Sequence, residues 1–267
     1  DDVVVKTRHV ESLVDDLRLT FDNLRTYDIK LNPEKCVFGI PAGKLLGFIV
    51  SSRGIEANPA KIRALSQLDI PKDLKQIQKL TGCVAALSRF ISRLGEKALP
   101  LYRLLRRTKH LKWTDAATAG LGKIKAILAT NPVLAAPNTG EPMLLYIAAT
   151  HQVVSAVLVV EREADGHKFP LQRPVYYVST VHTPCKSRYP HYQKIAYAVF
   201  MASRKLRHYF QECSITVASE VPLNDIVNNR DATGRIAKWA IELLPFDITY
   251  KPRRAIKLQV LADFVAE

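Results

Sequence analysis

LLYIAATHQVVSAVLVVERE (144–163) and RPVYYVSTVH (173–182) decide the fold class. Leu144 to Ala149 and the valine-rich Val153 to Val160 are mainly apolar runs separated by a short turn, and both read as strands. Val175 to Val181 is a third, reached through a polar loop around Asp165-Gly166. A long helix is predicted from about His191 to Phe210, then a strand at Ile215–Ala218, a helix at Arg235–Leu244, a strand at Phe246–Tyr250 and a helical end at Leu258–Ala266. Such an order is α/β with a mixed sheet.

Upstream the periodicity is different. Val3 to Val5 reads as a strand, and Val10, Leu13, Val14, Leu17, Phe21 and Leu24 recur at helical spacing, giving an amphipathic helix that should pack on a sheet. LNPEKCVFG (31–39) is a turn at Pro33 running into a short strand; Leu45–Val50 is a strand, Ser52-Arg53-Gly54 a turn and Asn58-Pro59 a helix start. From Ile70 to Arg107 the pattern is that of a helical bundle, with Leu74, Ile77, Leu80, Val84, Leu87, Ile91 and Leu94 on one face and Pro100 breaking the run. Thr114 caps a helix to about Leu128, and Asn131-Pro132 with Pro137-Asn138-Thr139-Gly140 is the most loop-like joint, so a domain boundary is placed near residue 140.

In a chain of 267 residues, 48% hydrophobic and 24% charged, there is material for two cores. Thirty-nine Lys and Arg against 25 Asp and Glu leave a net charge of +14, which favours a polyanionic partner, nucleic acid first. A membrane surface would call for a basic amphipathic helix or a lipidation signal, and neither is found. Cys36, Cys83, Cys185 and Cys213 show no metal-ligand or disulfide spacing. With no bilayer-spanning run and no signal-peptide pattern, an intracellular location, in a cytoplasmic particle or the nucleus, is expected. The Asp1-Asp2-Val3-Val4-Val5 start suggests a hairpin cut at its tip and a truncated reading frame.

The stretches LNPEKCVFG, LLGFIVSSRGIEANPAKI, LPLYRLLRR and KWTDAA resemble, in this order and spacing, the palm end, primer grip and thumb of gypsy-class long-terminal-repeat retrotransposon polyproteins. LLYIAATHQVVSAVLVVERE, RPVYYVSTVH, RYPHYQKIAYAVFMASRKLRHYFQ (188–211) and LADFVAE (261–267) are similar to the RNase H domain that follows in them. One branch is closer: large plant elements with a degenerate RNase H domain, a second RNase H downstream and an ending like Ala262-Asp263-Phe264. The resemblance implies a truncated palm and primer grip over 1–68, a helical thumb and connection over 69–139, and an RNase H-like mixed-sheet domain over 140–267.

It also implies sites. Asp1 and Asp2 match the last two positions of the family's Tyr-x-Asp-Asp hairpin, whose carboxylates hold two Mg²⁺ (or Mn²⁺) ions; an acidic terminus in solvent is the plain alternative. Lys35 lies where a polymerase lysine protonates pyrophosphate, or is a surface lysine. Gly47 and Phe48 sit in the primer-grip turn, where glycine lets backbone approach nucleic acid. In the basic run 102–113, Arg103, Arg106, Arg107, Lys109 and Lys112 would hold phosphates, as would Arg204, Lys205 and Arg207 on the long helix.

RNase H chemistry needs four acids around two metals. Aligned on flanking residues, the first position is Ala148, the second Gln193, the third Glu220 and the fourth Asp263. Two carboxylates are too few, so the fragment is expected to bind no metal productively and to be inactive alone, holding RNA/DNA hybrid or template-primer beside the rest of the polyprotein: palm and fingers upstream, and an RNase H and integrase downstream. The alternatives are a decayed or purely structural reading frame, and a residual RNase H using Glu161 or Asp165. His151, His182, His191 and His208 share no helical face and read as packing or solvent residues.

Overall fold

The computed structural model describes all residues except 1, 2, 6, 8, 106–111, 164–165, 167–169, 230–232 and 254–267. Its contacts divide into two compact units, Asp1–Arg53 and Gly54–Glu267, so the segments on either side of residue 140 share one unit.

In the first unit, α1 (Leu13–Thr26) is amphipathic as predicted, yet none of its residues is buried. Indeed no described residue of 1–53 is buried, and the expectation that this helix packs on a sheet is not met within the unit. Some fifty residues bury too little surface to close a core. Val3 to Val5 carries no strand, and Pro33–Lys35 is a 3-10 turn followed by irregular chain rather than by a strand. The strands lie later: β1 (Ala42–Leu45) and β2 (Phe48–Ser51) pair antiparallel, Leu45 opposite Phe48. The two-residue turn between them has Leu46 at φ 49° and Gly47 at φ 78°, the left-handed pair that suits a tight hairpin.

The second unit begins with β3 (Gly54–Ala57) and α2 (Pro59–Ser66), whose Asn58 cap accepts the Ala60 amide at 2.9 Å. A helical layer follows: α3 (Leu74–Ala86), α4 (Leu94–Leu104) and α5 (Asp115–Ala129). The predicted apolar face is its core, since Ile77, Leu80, Val84, Leu87, Ile91 and Leu94 are all at most 5% exposed, while Leu74 lies outside it at 40%. Pro100 does not break the run as expected but sits inside α4. Its ring rests near Gly120 of α5, whose missing side chain lets the two helices close: a Cβ there would lie 2.3 Å from the Lys97 carbonyl oxygen. Tertiary packing thus offsets the cost of an interior proline, roughly 3 kcal/mol.

After the short β4 (Val133–Leu134), antiparallel to β3, comes the mixed sheet: β5 (Met143–Ala149), β6 (Val153–Arg162) and β7 (Leu171–Val181). The chain then passes through α6 (Pro184–Ser187), α7 (His191–Lys205), α8 (Arg207–Glu212) and β8 (Ile215–Ser219). It continues with α9 (Leu223–Val227), α10 (Gly234–Leu243) and β9 (Ile248–Pro252). The sheet order is β7-β6-β5-β8-β9, with β5 antiparallel to β6, β6 to β7, and the β5/β8 and β8/β9 pairs parallel. The predicted long helix is two helices, parting at Leu206.

Period-2 alternation explains both faces of the sheet. Leu145, Ile147, Val154, Ala156 and Leu158 point into the main core with α7 and α10, where Tyr197, Phe200 and Trp239 stack at 5.6–6.1 Å. Tyr146, Val157, Val159 and Ala218 fill the opposite face. There α4 presses on the sheet through Gly95, whose amide donates to Ser179 Oγ at 2.9 Å.

Candidate nucleic-acid interface at one end of the sheet

Strand direction gathers the site. β5, β7, β8 and β9 run the same way and β6 the opposite way, so the last residues of those four strands, the start of β6 and the first turn of α7 share one end of the sheet. Ala148, His151, His182, Gln193, Glu220 and Arg253 therefore come from six separate segments to one region.

Three of the four predicted RNase H positions meet there. The β5/β8 register pairs Tyr146 with Ala218, so Ala148, two residues further along β5, and Glu220, just past the end of β8, lie toward the same end of the sheet. Ala148 offers no donor, and Gln193 is a half-buried amide in the first turn of α7. The deficit is broader than one position, because neither β5 (MLLYIAA) nor α7 (HYQKIAYAVFMASRK) contains a carboxylate. Two residues past Gln193, Ile195 turns to the sheet and is 1% exposed, so even the inward side of that turn is apolar. Asp263 lies outside the described residues.

Glu220, its side chain 54% exposed, has basic side chains beside it. His191 Nε2 lies 3.4 Å from one of its oxygens and Arg253 Nη1 4.0 Å from the other. Among the described residues no three His, Cys, Asp or Glu side chains are grouped to hold a metal ion. Two divalent ions need several anionic oxygens to offset their charge, and these residues do not fit them. Glu161 cannot substitute: on β6 it lies six residues beyond Ser155, the partner of Ala148, roughly 20 Å along the strand. Its carboxylate there accepts from Gln172 Nε2 at 3.0 Å. Asp165 lies outside the described residues.

Several cations gather near this end of the sheet. Arg103, at the end of α4, donates to Gln152 Oε1 at 2.9 Å, and the Gln152 carbonyl accepts the His182 amide at 2.7 Å. Lys186 Nζ donates to the Tyr197 hydroxyl at 2.6 Å and lies 4.3 Å above that ring. Lys194, an α7 residue between Gln193 and Ile195, is 7% exposed. His182 is 9% exposed and neither ring nitrogen has a hydrogen-bond partner. Burial, then the charges of Lys194, Lys186 and His151, push its pKa down to about 4. Sequence reasoning passed over Lys186 and Lys194; the one available signal was a lysine inside the apolar face of α7.

The other predicted cations behave differently. Arg204 is clamped by Glu242 through two bonds of 2.9 and 3.0 Å and stacks on Phe200. Lys205 donates to Ser179 O and Thr180 Oγ1 at the end of β7, and burial lowers its pKa. Arg207 is exposed on α8, so these three do not form one open cationic face. Lys112 is exposed; Arg106, Arg107 and Lys109 lie outside the described residues. In the first unit, Lys35 is exposed in its 3-10 turn, and Gly47 and Phe48 form the β1–β2 hairpin, with Leu46 70% exposed at its tip. Asp1 and Asp2 lie outside the described residues.

Comparisons with known proteins agree with this fold. Residues 113–217 match the family of the RNase H-like domain found in reverse transcriptase. The chain is similar to the retrovirus-related Pol polyprotein from transposon 297 of Drosophila melanogaster, 25% identical over 91% of this chain and 22% of that protein. The Pol polyprotein from transposon opus of the same organism is 26% identical over 98% of this chain and 27% of its own length. For the transposon Tf2-3 polyprotein of Schizosaccharomyces pombe the figures are 25%, 96% and 19%. The chain thus spans about a fifth to a quarter of these relatives' length.

Among solved structures, the foamy viral protease-reverse transcriptase in complex with RNA/DNA hybrid superposes with a TM-score of 0.76 at 19% identity, over 94% of this chain and 34% of that one. Its complex with dsDNA gives 0.73 at 19% identity, over 95% and 53%. At this identity the likeness establishes the fold.

Proposed function

We propose that this chain is the part of a retrotransposon Pol polyprotein, of the gypsy class and of its plant branch, that links the polymerase to a downstream nuclease and grips RNA/DNA hybrid without cutting it. In this reading 1–68 completes a polymerase palm and primer grip, 69–139 is thumb and connection, and 140–267 is an RNase H-like domain turned to binding. The observation that carries it is the gathering of Arg103, Lys186, Lys194 and Arg253 at the sheet end where Ala148 and Gln193 stand in place of the expected carboxylates. A basic surface gains its affinity from phosphates and is indifferent to sequence, as a template grip must be.

The first unit supports the same reading. Val14, Leu19, Tyr27, Ile29, Val37 and Phe38 are all more than half exposed, a display that needs a covering surface. The remaining polymerase palm and fingers would supply it. Leu46 at positive φ on the hairpin tip is the kind of backbone outlier that collects at functional sites, and it suits a primer grip. Polymerase metal chemistry belongs to the assembled enzyme through Asp1, Asp2 and acids outside this chain, in the cytoplasm or nucleus.

Incubating the purified chain with labelled RNA/DNA hybrid and Mg²⁺ or Mn²⁺ tests both halves. Retention that weakens steeply with salt, with no RNA fragments released, is the expected outcome. Metal-dependent cleavage abolished by Glu220→Gln would overturn the non-cutting reading, and absence of retention would overturn binding.

A further inference from the structure

We propose that Lys186, Lys194 and His151, gathered around the His182 ring, form a binding site for a phosphodiester group of a nucleic-acid backbone. This rests on the reading that the sheet end faces nucleic acid and names the group it takes there.

The argument is one of unmatched charge. A buried imidazole is costly when its nitrogens bond to nothing, and lysines that converge on it without a counter-charge add to that cost. Lys194 and His182 are each more than nine-tenths buried. The groups facing His182 are Lys194 from α7, Lys186 from α6, His151 from the β5–β6 turn and the Tyr197 ring, 6.0 Å away between centroids. Not one is an acid. Glu220, at the same sheet end, lies beside His191 and Arg253. Positive groups converge without an acidic partner among the described residues, and the Tyr197 hydroxyl fixes Lys186 among them.

A cation would meet repulsion here, so a metal is the wrong occupant. An anion meets both demands: it neutralises the lysines, and it raises the basicity of His182 so that the ring takes a proton and donates. Lysine serves phosphate as a point charge. Arg103, joined to His182 through Gln152, continues the cationic track and favours a strand over a lone small anion.

Nuclear magnetic resonance of the imidazoles in the full chain, with and without a short RNA/DNA hybrid, reads the site directly. The expected result is that hybrid moves the titration midpoint of His182 upward from about 4. Lys194→Met should weaken hybrid binding about tenfold, the equivalent of one charge-assisted hydrogen bond, and flatten the salt slope by about one phosphate. Lys186→Met, at a less buried position, gives the same readout should Lys194→Met fail to fold. Hybrid binding that leaves His182 unmoved and is indifferent to both variants overturns this site while leaving the proposed function standing. If hybrid does not bind at all the proposed function falls, and a His182 shift with inorganic phosphate alone would then mark a free-phosphate site and overturn the strand assignment.

Discussion

The Gly95 amide and the Ser179 hydroxyl meet across 84 positions of sequence at 2.9 Å, and that hydroxyl bonds in turn to Ser155 at 2.8 Å. Through this contact the helical layer is seated on the second face of the sheet. A Cβ at Gly95 would lie 2.6 Å from Ser179 Oγ and 2.7 Å from Val153 Cγ1. Gly95→Ala should therefore destabilise the chain by about 1–3 kcal/mol, the usual penalty of overpacking. Urea denaturation should show a lower midpoint with an unchanged slope, and adding Ser179→Ala should restore part of the loss.

The ion pair of Glu141 with Arg162 ties the entry of β5 to the far end of β6, with two bonds of 2.8 Å. The hydrogen bond from Arg162 holds the Glu141 carboxyl below its ordinary 4.5. A depressed carboxylate pKa contributes stability above the unfolded value and loses it as pH falls through the folded one. Wild type should thus lose stability below about pH 4.5 more steeply than Glu141→Gln. The variant should start about 1–2 kcal/mol less stable at neutral pH.

His182 predicts a second acid limb. With the folded pKa near 4 and the ordinary value 6.5, the unfolded chain binds a proton across that window and the folded chain does not. Stability is therefore expected to fall as pH drops from 6.5 to 4 in the free protein, and His182→Gln should flatten the limb. A thermal-denaturation series across that range reads it. A limb of unchanged depth in the variant would show that His182 is not its source.

Tyr146 contributes to the alkaline limit, together with Tyr250, whose phenol burial also pushes up to about 12. Burial pushes the Tyr146 phenol up to about 12, while Gln172 Nε2 donates to its oxygen at 2.7 Å. A raised phenol pKa gives stability that is complete below the ordinary 10 and lost as pH climbs through the folded value. Tyr146→Phe should lose less stability than wild type between pH 10 and 12. Equal losses would show that another group controls this limb.

Much of the second unit was legible in local patterns. The aliphatic runs at 144–149 and 153–160, the helical face from Ile77 to Leu94 and the Thr114 cap all follow from nearest neighbours along the chain, and each is an element of the structure. The first unit was less legible. The strand expected after Pro33 is absent, and the single strand expected over Leu45–Val50 is broken by the Leu46-Gly47 turn into β1 and β2, because with no buried residue to fix a register, turn chemistry alone locates the hairpin.

By itself the sequence determined the mixed α/β class, the main strands and helices of the second unit, and the absence of carboxylates from β5 and α7, since periodicity and side-chain identity are local and covalent. Only the tertiary structure decided that Arg204 and Lys205 are spent on internal bonds, that Pro100 is tolerated inside a helix, and that Arg103, Lys186, Lys194 and His182 converge. The physical reason is that parallel pairing of β5, β8 and β9 brings distant strand ends to one edge, and whether a buried cation finds a counter-charge depends on what those ends bring with them.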